Sequence, residues 1–200
     1  MWPLPCPELV SGTLPGWSRC RVARCLVCAA GPGRWHTLAA TVSLGGLVTG
    51  VGVGDLVEDF ELPDETGRSR RLTQLLESGP VVLFFYPAAM TRGCTAESCH
   101  FRDLAAEFAA VGAQRVGISR DPVSRQAEFS RLHGFDYPLL SDADGVVADR
   151  FGVRRRLPLG PLSTRRMTFV IGVDRRVIEV VHSELGMNEH ADRALRALGG

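Results

Sequence analysis

Residues 81–104 read VVLFFYPAAMTRGCTAESCHFRDL, and the fold turns on them. Val81 to Tyr86 is an apolar run of β-forming residues, the pattern of a strand covered on both faces. Pro87 stops it, and a short loop, Ala88 to Gly93, follows. Beyond the loop, Phe101, Leu104, Ala105 and Phe108 recur at helical spacing. Cys94 therefore falls at or near the first turn of a helix that follows a buried strand.

That placement has chemical consequences. The first turn of a helix carries unpaired N–H groups and the positive end of the macrodipole. Both favour a thiolate over a thiol at Cys94. Thr91, three residues earlier, offers a hydroxyl to the sulfur or to a bound oxygen. Pro87 can wall the pocket against water without an N–H of its own, and Arg92 adds positive charge nearby.

Cys99 lies five residues on, in the same predicted helix. Five residues turn the helix by about 500° and raise it by about 7.5 Å, which puts the two Cα atoms roughly 8–9 Å apart on different faces. A disulfide needs Cα atoms within about 7 Å. If Cys94 and Cys99 pair, this part of the helix must unwind.

At these residues the chain resembles the peroxiredoxins, in the subfamily called peroxiredoxin Q or bacterioferritin comigratory protein. The family pattern is Pro, three residues, Thr, two residues, Cys, and Pro87, Thr91 and Cys94 match it. The resemblance implies that Cys94 is the peroxidatic cysteine and Cys99 the resolving one. It runs from about Gly54 to Leu198. It departs in detail: Arg92 stands where the subfamily often has Pro, and Ala88-Ala89 where it often has polar residues. These changes touch the loop, not the reacting atoms.

Plainer readings exist for the same residues. A lone cysteine after a strand is commonly a small buried hydrophobe. A CxxxxC pair with His100 beside it suggests metal, but a metal site needs three or four converging ligands, and adjacent Cys99 and His100 point different ways on a helix.

The 200 residues allow one domain with a sizeable core plus extra length. A net charge of +1 gives no argument for nucleic acid or an anionic membrane as partner. Every basic residue is Arg, so no Schiff-base lysine exists. The six cysteines divide into Cys6, Cys20, Cys25 and Cys28, then Cys94 and Cys99. Two cysteines in the compact part are not the framework of a disulfide-stapled secreted scaffold, and the expected location is cytoplasmic.

Residues 1–50 differ from the rest. Glu8 is their only acidic residue, and no amphipathic period is sustained. Cys25-Leu-Val-Cys28 lacks the strand and helix of a thioredoxin motif, and no second CxxC completes a zinc site. Thr37 to Gly54 is uncharged but glycine-rich, a poor membrane helix and only weakly signal-like or transit-like. The expectation is an N-terminal extension that is disordered or that reflects a start placed too far upstream of Val48 or Val51. The domain proper is then 51–200.

That domain opens with an extended segment, Asp55 to Pro63, a turn at Asp64 to Gly67, a return strand at Arg70 to Leu72 and a helical turn to Glu77. After the Cys94 helix, Gln114 to Ser119 reads as a strand. Asp121-Pro122 starts a helix, with Asp as N-cap and Pro at N1, and Gly134 ends it. Tyr137 to Leu140 is a short strand, Ser141 to Gly145 a turn plus helix cap, and Val146 to Phe151 a short helix. Arg154 to Arg156 reads as a solvated surface loop. Met167 to Val173 and Val177 to His182 form a hairpin, and His190 to Leu198 a final helix. The order predicts an α/β domain with a mixed central sheet flanked by helices. The resemblance implies a thioredoxin-like fold.

The resemblance also implies an Arg immediately upstream of a TFxI-type strand. Arg166, two residues before Thr168, fits that position, with Arg165 as the less favoured neighbour. A guanidinium there would favour the thiolate and hold two peroxide oxygens in line. Glu97 is the candidate to orient it. The expected function is a thiol peroxidase that reduces hydrogen peroxide and organic hydroperoxides through a Cys94 sulfenic acid and a Cys94–Cys99 disulfide. Thioredoxin or a similar dithiol would recycle it. No metal or cofactor is required, and a monomer suffices, with a dimer as the alternative. The rival readings are a disulfide oxidoreductase and a non-enzymatic redox sensor.

Overall fold

The computed structural model describes residues 50–159 and 162–199. The readings of residues 1–49, including the Cys25–Cys28 pair, lie outside the described residues.

Among these residues, β1 (Glu61–Pro63) and β2 (Ser69–Arg71) form a small hairpin that leads into α1 (Leu72–Leu76). Then come β3 (Val81–Phe85), α2 (Arg92–Asp103), α3 (Ala105–Ala110), β4 (Gln114–Ser119), α4 (Val123–His133), β5 (Leu139–Ser141) and α5 (Val146–Arg150). A second hairpin, β6 (Arg154–Leu159) and β7 (Leu162–Thr164), precedes β8 (Met167–Ile171), β9 (Val177–His182) and α6 (Glu189–Ala197). The central sheet has the order β5-β4-β3-β8-β9. β3 is parallel to β4 and antiparallel to β8. It is the mixed sheet expected from crossovers followed by a terminal hairpin.

β3 is the middle strand, and the alternation of side chains along it divides the core in two. Val81, Leu83 and Phe85 face one apolar cluster, which takes in Leu72 and Leu75 of α1 and Val147 of α5. Val82, Phe84 and Tyr86 face the other, with Phe101 of α2, Phe108 of α3, Phe129 of α4 and Ala191 and Ala194 of α6. Phe84 stacks on Phe101 at 4.1 Å between centroids. That contact seats α2 on the sheet, so the strand's even face fixes where the helix bearing Cys94 lies.

The structure corrects four details of the sequence reading. The helix read through Phe108 is two helices, broken at Leu104, whose φ and ψ of −93° and 25° leave the helical range. Asp121 does not cap α4. Pro122 takes the N-cap position in an extended conformation, and Asp121 is used elsewhere. The short strand begins at Leu139 rather than Tyr137, because Pro138 has no N–H to give a ladder. Arg154–Arg156 is a strand rather than a loop, with Arg154 opposite Thr164. A two-stranded ribbon needs no buried face, so no apolar alternation announced it. The acidic run at 141–145 is the turn and cap expected: Asp142 accepts the N–H groups of Val147 and Ala148. No helix of the described residues is long and apolar enough to cross a membrane.

Candidate active site

Every residue from Val81 to Ala89 is buried, so the chain leaves the sheet inside the protein rather than on its surface. Tyr86 donates its hydroxyl to Gln126 of α4. Pro87, buried next to it, ends the ladder. The loop beyond is held from outside. The Ala89 N–H donates to Asp121 Oδ2 at 2.7 Å, and Asp121 is itself anchored by the Ser119 hydroxyl at 2.8 Å. Met90 sits at φ +68°, a left-handed conformation that costs a non-glycine residue about 1 kcal/mol or more. The turn it makes delivers Thr91 to the N-cap of α2.

Thr91 does not cap with its side chain. Its hydroxyl donates instead to the Ala88 carbonyl at 3.0 Å. Its backbone carbonyl takes the Thr95 N–H at 2.8 Å, so the intrahelical bonds start there. The earlier N–H groups of the first turn, that of Cys94 included, have no intrahelical acceptor. Cys94 is the third residue of α2 and is fully buried.

The Arg166 guanidinium reaches the sulfur. Nη2 lies 3.4 Å from Cys94 Sγ, while Nη1 donates to Glu97 Oε2. Arg166 is 4% exposed and Glu97 is fully buried, so the pair is not screened by water. Burial pushes the Glu97 carboxyl up to about 8, against the pull of Arg166. At Arg166, burial works against the charge, but Glu97 and Cys94 more than offset it, and the guanidinium stays protonated. Among the described residues, Glu97 Oε1 and Arg166 Nε have no hydrogen-bond partner.

Gly93 leaves little spare room where Arg166 crosses the helix start. A Cβ there would lie 3.1 Å from Arg166 Nη2 and 3.3 Å from the Met187 methyl. Gly93→Ala is therefore expected to act in opposite directions on stability and chemistry. Ala is the better helix former by up to about 1 kcal/mol, yet displacing the guanidinium should slow peroxide reduction by about tenfold. Urea unfolding and the peroxide rate constant, measured on one preparation, check both signs.

Cys99 is half-buried in the same unbroken helix, and both thiols are free. The helical separation estimated above applies as it stands, so these two cysteines do not pair without unwinding α2. Side-chain ties mark what unwinding must break. Tyr137 donates to the Ser98 carbonyl at 2.8 Å, and His100 bonds Asp192 of α6 at 2.8 Å.

Of the six site residues expected from the sequence, the structure brings Cys94, Glu97 and Arg166 together; Pro87 and Thr91 lie on the segment that leads into α2, and Cys99 stands apart along the helix. Three contributors went unseen in the sequence. Asp121, read as a helix cap, secures the active loop instead. Gly93 signalled only as a glycine in the first turn of a helix. His190, fully buried behind Glu97, had no sequence signal at all.

The model for the AhpC/TSA family matches residues 53–180. A putative peroxiredoxin of Mycobacterium tuberculosis is 63% identical over 145 residues, covering 72% of this chain and 94% of that protein. Peroxiredoxin Bcp of Escherichia coli K12 is 34% identical over 148 residues, with the same coverage of both. Among solved structures, peroxidoxin BcpB from Mycobacterium tuberculosis superposes with a TM-score of 0.71 at 61% identity, over 74% of this chain and 96% of that one. A PrxQ mutant from Xylella fastidiosa gives 0.68 at 27% identity, over 74% and 95%. The α/β fold is thus thioredoxin-like, as the resemblance implied. With a buried cysteine under a guanidinium at a helix start and matches of this extent, the chain belongs to the AhpC/TSA family, among its peroxiredoxins of the bacterioferritin comigratory protein and peroxiredoxin Q kind.

Proposed function

We propose that this protein is a thioredoxin-dependent peroxidase in which Cys94 is oxidised and Cys99 resolves it. The observation that carries the reading is the 3.4 Å contact of Arg166 with a fully buried Cys94 Sγ at the open start of α2. The Cys94 thiolate attacks the terminal oxygen of a hydroperoxide. The O–O bond breaks, the sulfur keeps one oxygen as a sulfenic acid, and the other oxygen leaves with a proton as water or an alcohol. Negative charge moves from the sulfur onto the departing oxygen. Arg166 and the Cys94 N–H stand where both ends of that path can be held. Thr91, its hydrogen already given to Ala88, has lone pairs left to accept the O–H of the peroxide. Pro87 closes the floor without offering a competing donor.

Cys99 then attacks the sulfenic sulfur. An S–S bond forms, and hydroxide leaves and is protonated to water. The first turns of α2 must open for this, releasing Cys94 from Arg166. Two electrons and two protons from a dithiol such as thioredoxin restore both thiols. This cycle belongs in a reducing compartment, the cytoplasm. All its residues come from one chain, which a monomer satisfies.

Cys99→Ser tests the division of labour. The variant is expected to consume about one equivalent of peroxide and then stall with thioredoxin as reductant, leaving a sulfenic acid. A sulfenic-acid trapping reagent followed by peptide mass spectrometry should place the adduct on Cys94. Unimpaired turnover by Cys99→Ser would mean that the external dithiol resolves Cys94 directly.

A further inference from the structure

Beyond the Glu97–Arg166 pair lies a buried histidine that the cycle above does not use. His190, in the first turn of α6, is fully buried. Its Nε2 is 2.8 Å from the Ser183 carbonyl, which only accepts, so Nε2 carries the hydrogen. In the neutral ring Nδ1 is then an acceptor, and it takes the Thr168 hydroxyl at 2.9 Å. Glu97 Oε1 is 3.7 Å from Nδ1 and has no donor. Burial lowers the pKa of His190, with the Ser183 bond partly opposing, so the ring is neutral at neutral pH.

The consequence is electrostatic. A neutral imidazole with its lone pair committed to Thr168 offers Glu97 no hydrogen, so among the described residues the carboxyl has one donor, Arg166. A protonated imidazole would put an N–H opposite Oε1 and compete with Arg166 for the same carboxyl. The other charged or titratable groups near the ring are Arg166, Glu189 on its own helix and His182 at the end of β9. Neither Glu189 nor His182 shares a hydrogen bond with Glu97.

We propose that His190 is a positioning residue for peroxide reduction: with Nε2 tied to the Ser183 carbonyl and Nδ1 taken by the Thr168 hydroxyl, it leaves Glu97 to Arg166 alone and so sets the guanidinium on the Cys94 sulfur. This rests on the peroxidase reading of the site. It predicts that the rate depends on the charge of His190 and that the dependence runs through Glu97.

The test is a double-mutant cycle on the rate constant for Cys94 oxidation by hydrogen peroxide, measured between about pH 5 and pH 8. His190→Gln in the wild-type background should lower the rate about tenfold, and in the Glu97→Gln background it should lower it far less. The acid side of the wild-type profile should lose the step due to His190 in the variant. A purely structural role in seating α6 would lower the melting temperature without moving the profile. Equal losses in both backgrounds, or an unchanged profile, overturn the inference. Should His190→Gln fail to fold by circular dichroism, Thr168→Val, which frees Nδ1 at similar volume, is run through the same cycle with the same criteria. Wild-type protein that ignores peroxide overturns the peroxidase reading and this inference together, whereas additive losses with an active wild type overturn only this one.

Discussion

Cys94→Ser is expected to abolish peroxide turnover and leave the fold in place. The serine oxygen is smaller than sulfur and is not ionised near neutral pH, so nothing remains to attack the O–O bond. The position is fully buried in the apolar cluster that also holds Phe84 and Phe101, yet the exchange leaves the side-chain shape nearly unchanged. The cost to stability should stay within about 1–2 kcal/mol. Peroxide consumption followed with thioredoxin, thioredoxin reductase and NADPH reads the chemistry, and a urea unfolding curve on the same sample reads the fold. Residual turnover well above background would mean that another group carries the reaction.

Arg166→Met carries the next largest effect, a fall in the peroxide rate constant of about two to three orders of magnitude. Two effects combine. The guanidinium no longer favours the thiolate, and the peroxide oxygens lose a rigid pair of donors. Stability is also at issue, because removing one partner of a buried ion pair strands the other at about 3–5 kcal/mol. Glu97 escapes part of that cost. Its carboxyl is pushed up to about 8 by burial even with Arg166 present, so it already largely holds its proton at neutral pH, and without the guanidinium it will keep that proton to higher pH. The sign of the pH effect follows. With a folded pKa above the ordinary carboxylate value, the folded protein binds the extra proton, so stability is greatest in acid and is lost as pH rises through the folded value. Arg166→Met should raise that folded value further, so its loss of stability relative to wild type should grow between neutral and alkaline pH. Adding Glu97→Gln should remove most of that growth and leave the rate as low as before. If the double variant recovers the rate, the contribution of Arg166 lay in neutralising Glu97 rather than in contacting the sulfur.

The arrangement shows what a sequence can and cannot carry. The strand, the stop and the helix around Cys94 were readable because each has a local cause: an unbroken apolar run, a proline, a repeat at helical spacing. Pro87, Thr91 and Cys94 share one short segment, so their spacing could carry the resemblance. Arg166 was found through the resemblance, since an Arg before a strand has no local mark of catalysis. Glu97 was visible only as a residue near Cys94 on the same helix. Asp121 was misread because an Asp before a Pro and a helical pattern is the ordinary sign of a cap. Its real partner, Ala89, is 32 residues away across the sheet. His190 and Thr168 meet only because α6 packs on β8, and no periodicity reports that. The β6–β7 ribbon was lost for a different reason: Arg154-Arg-Arg156 has the composition of a solvated loop, and no apolar alternation marks it as a strand.

The central claim is that Cys94 takes an oxygen from a hydroperoxide and passes the oxidation to Cys99. Adding one equivalent of hydrogen peroxide to the reduced protein, then blocking free thiols and mapping peptides by mass spectrometry, tests it most directly. The account predicts that Cys94 and Cys99 are lost together and recovered as one intrachain disulfide, with faster amide exchange across the first turns of α2. Peroxide left unconsumed, with both thiols still free to be blocked, would contradict it.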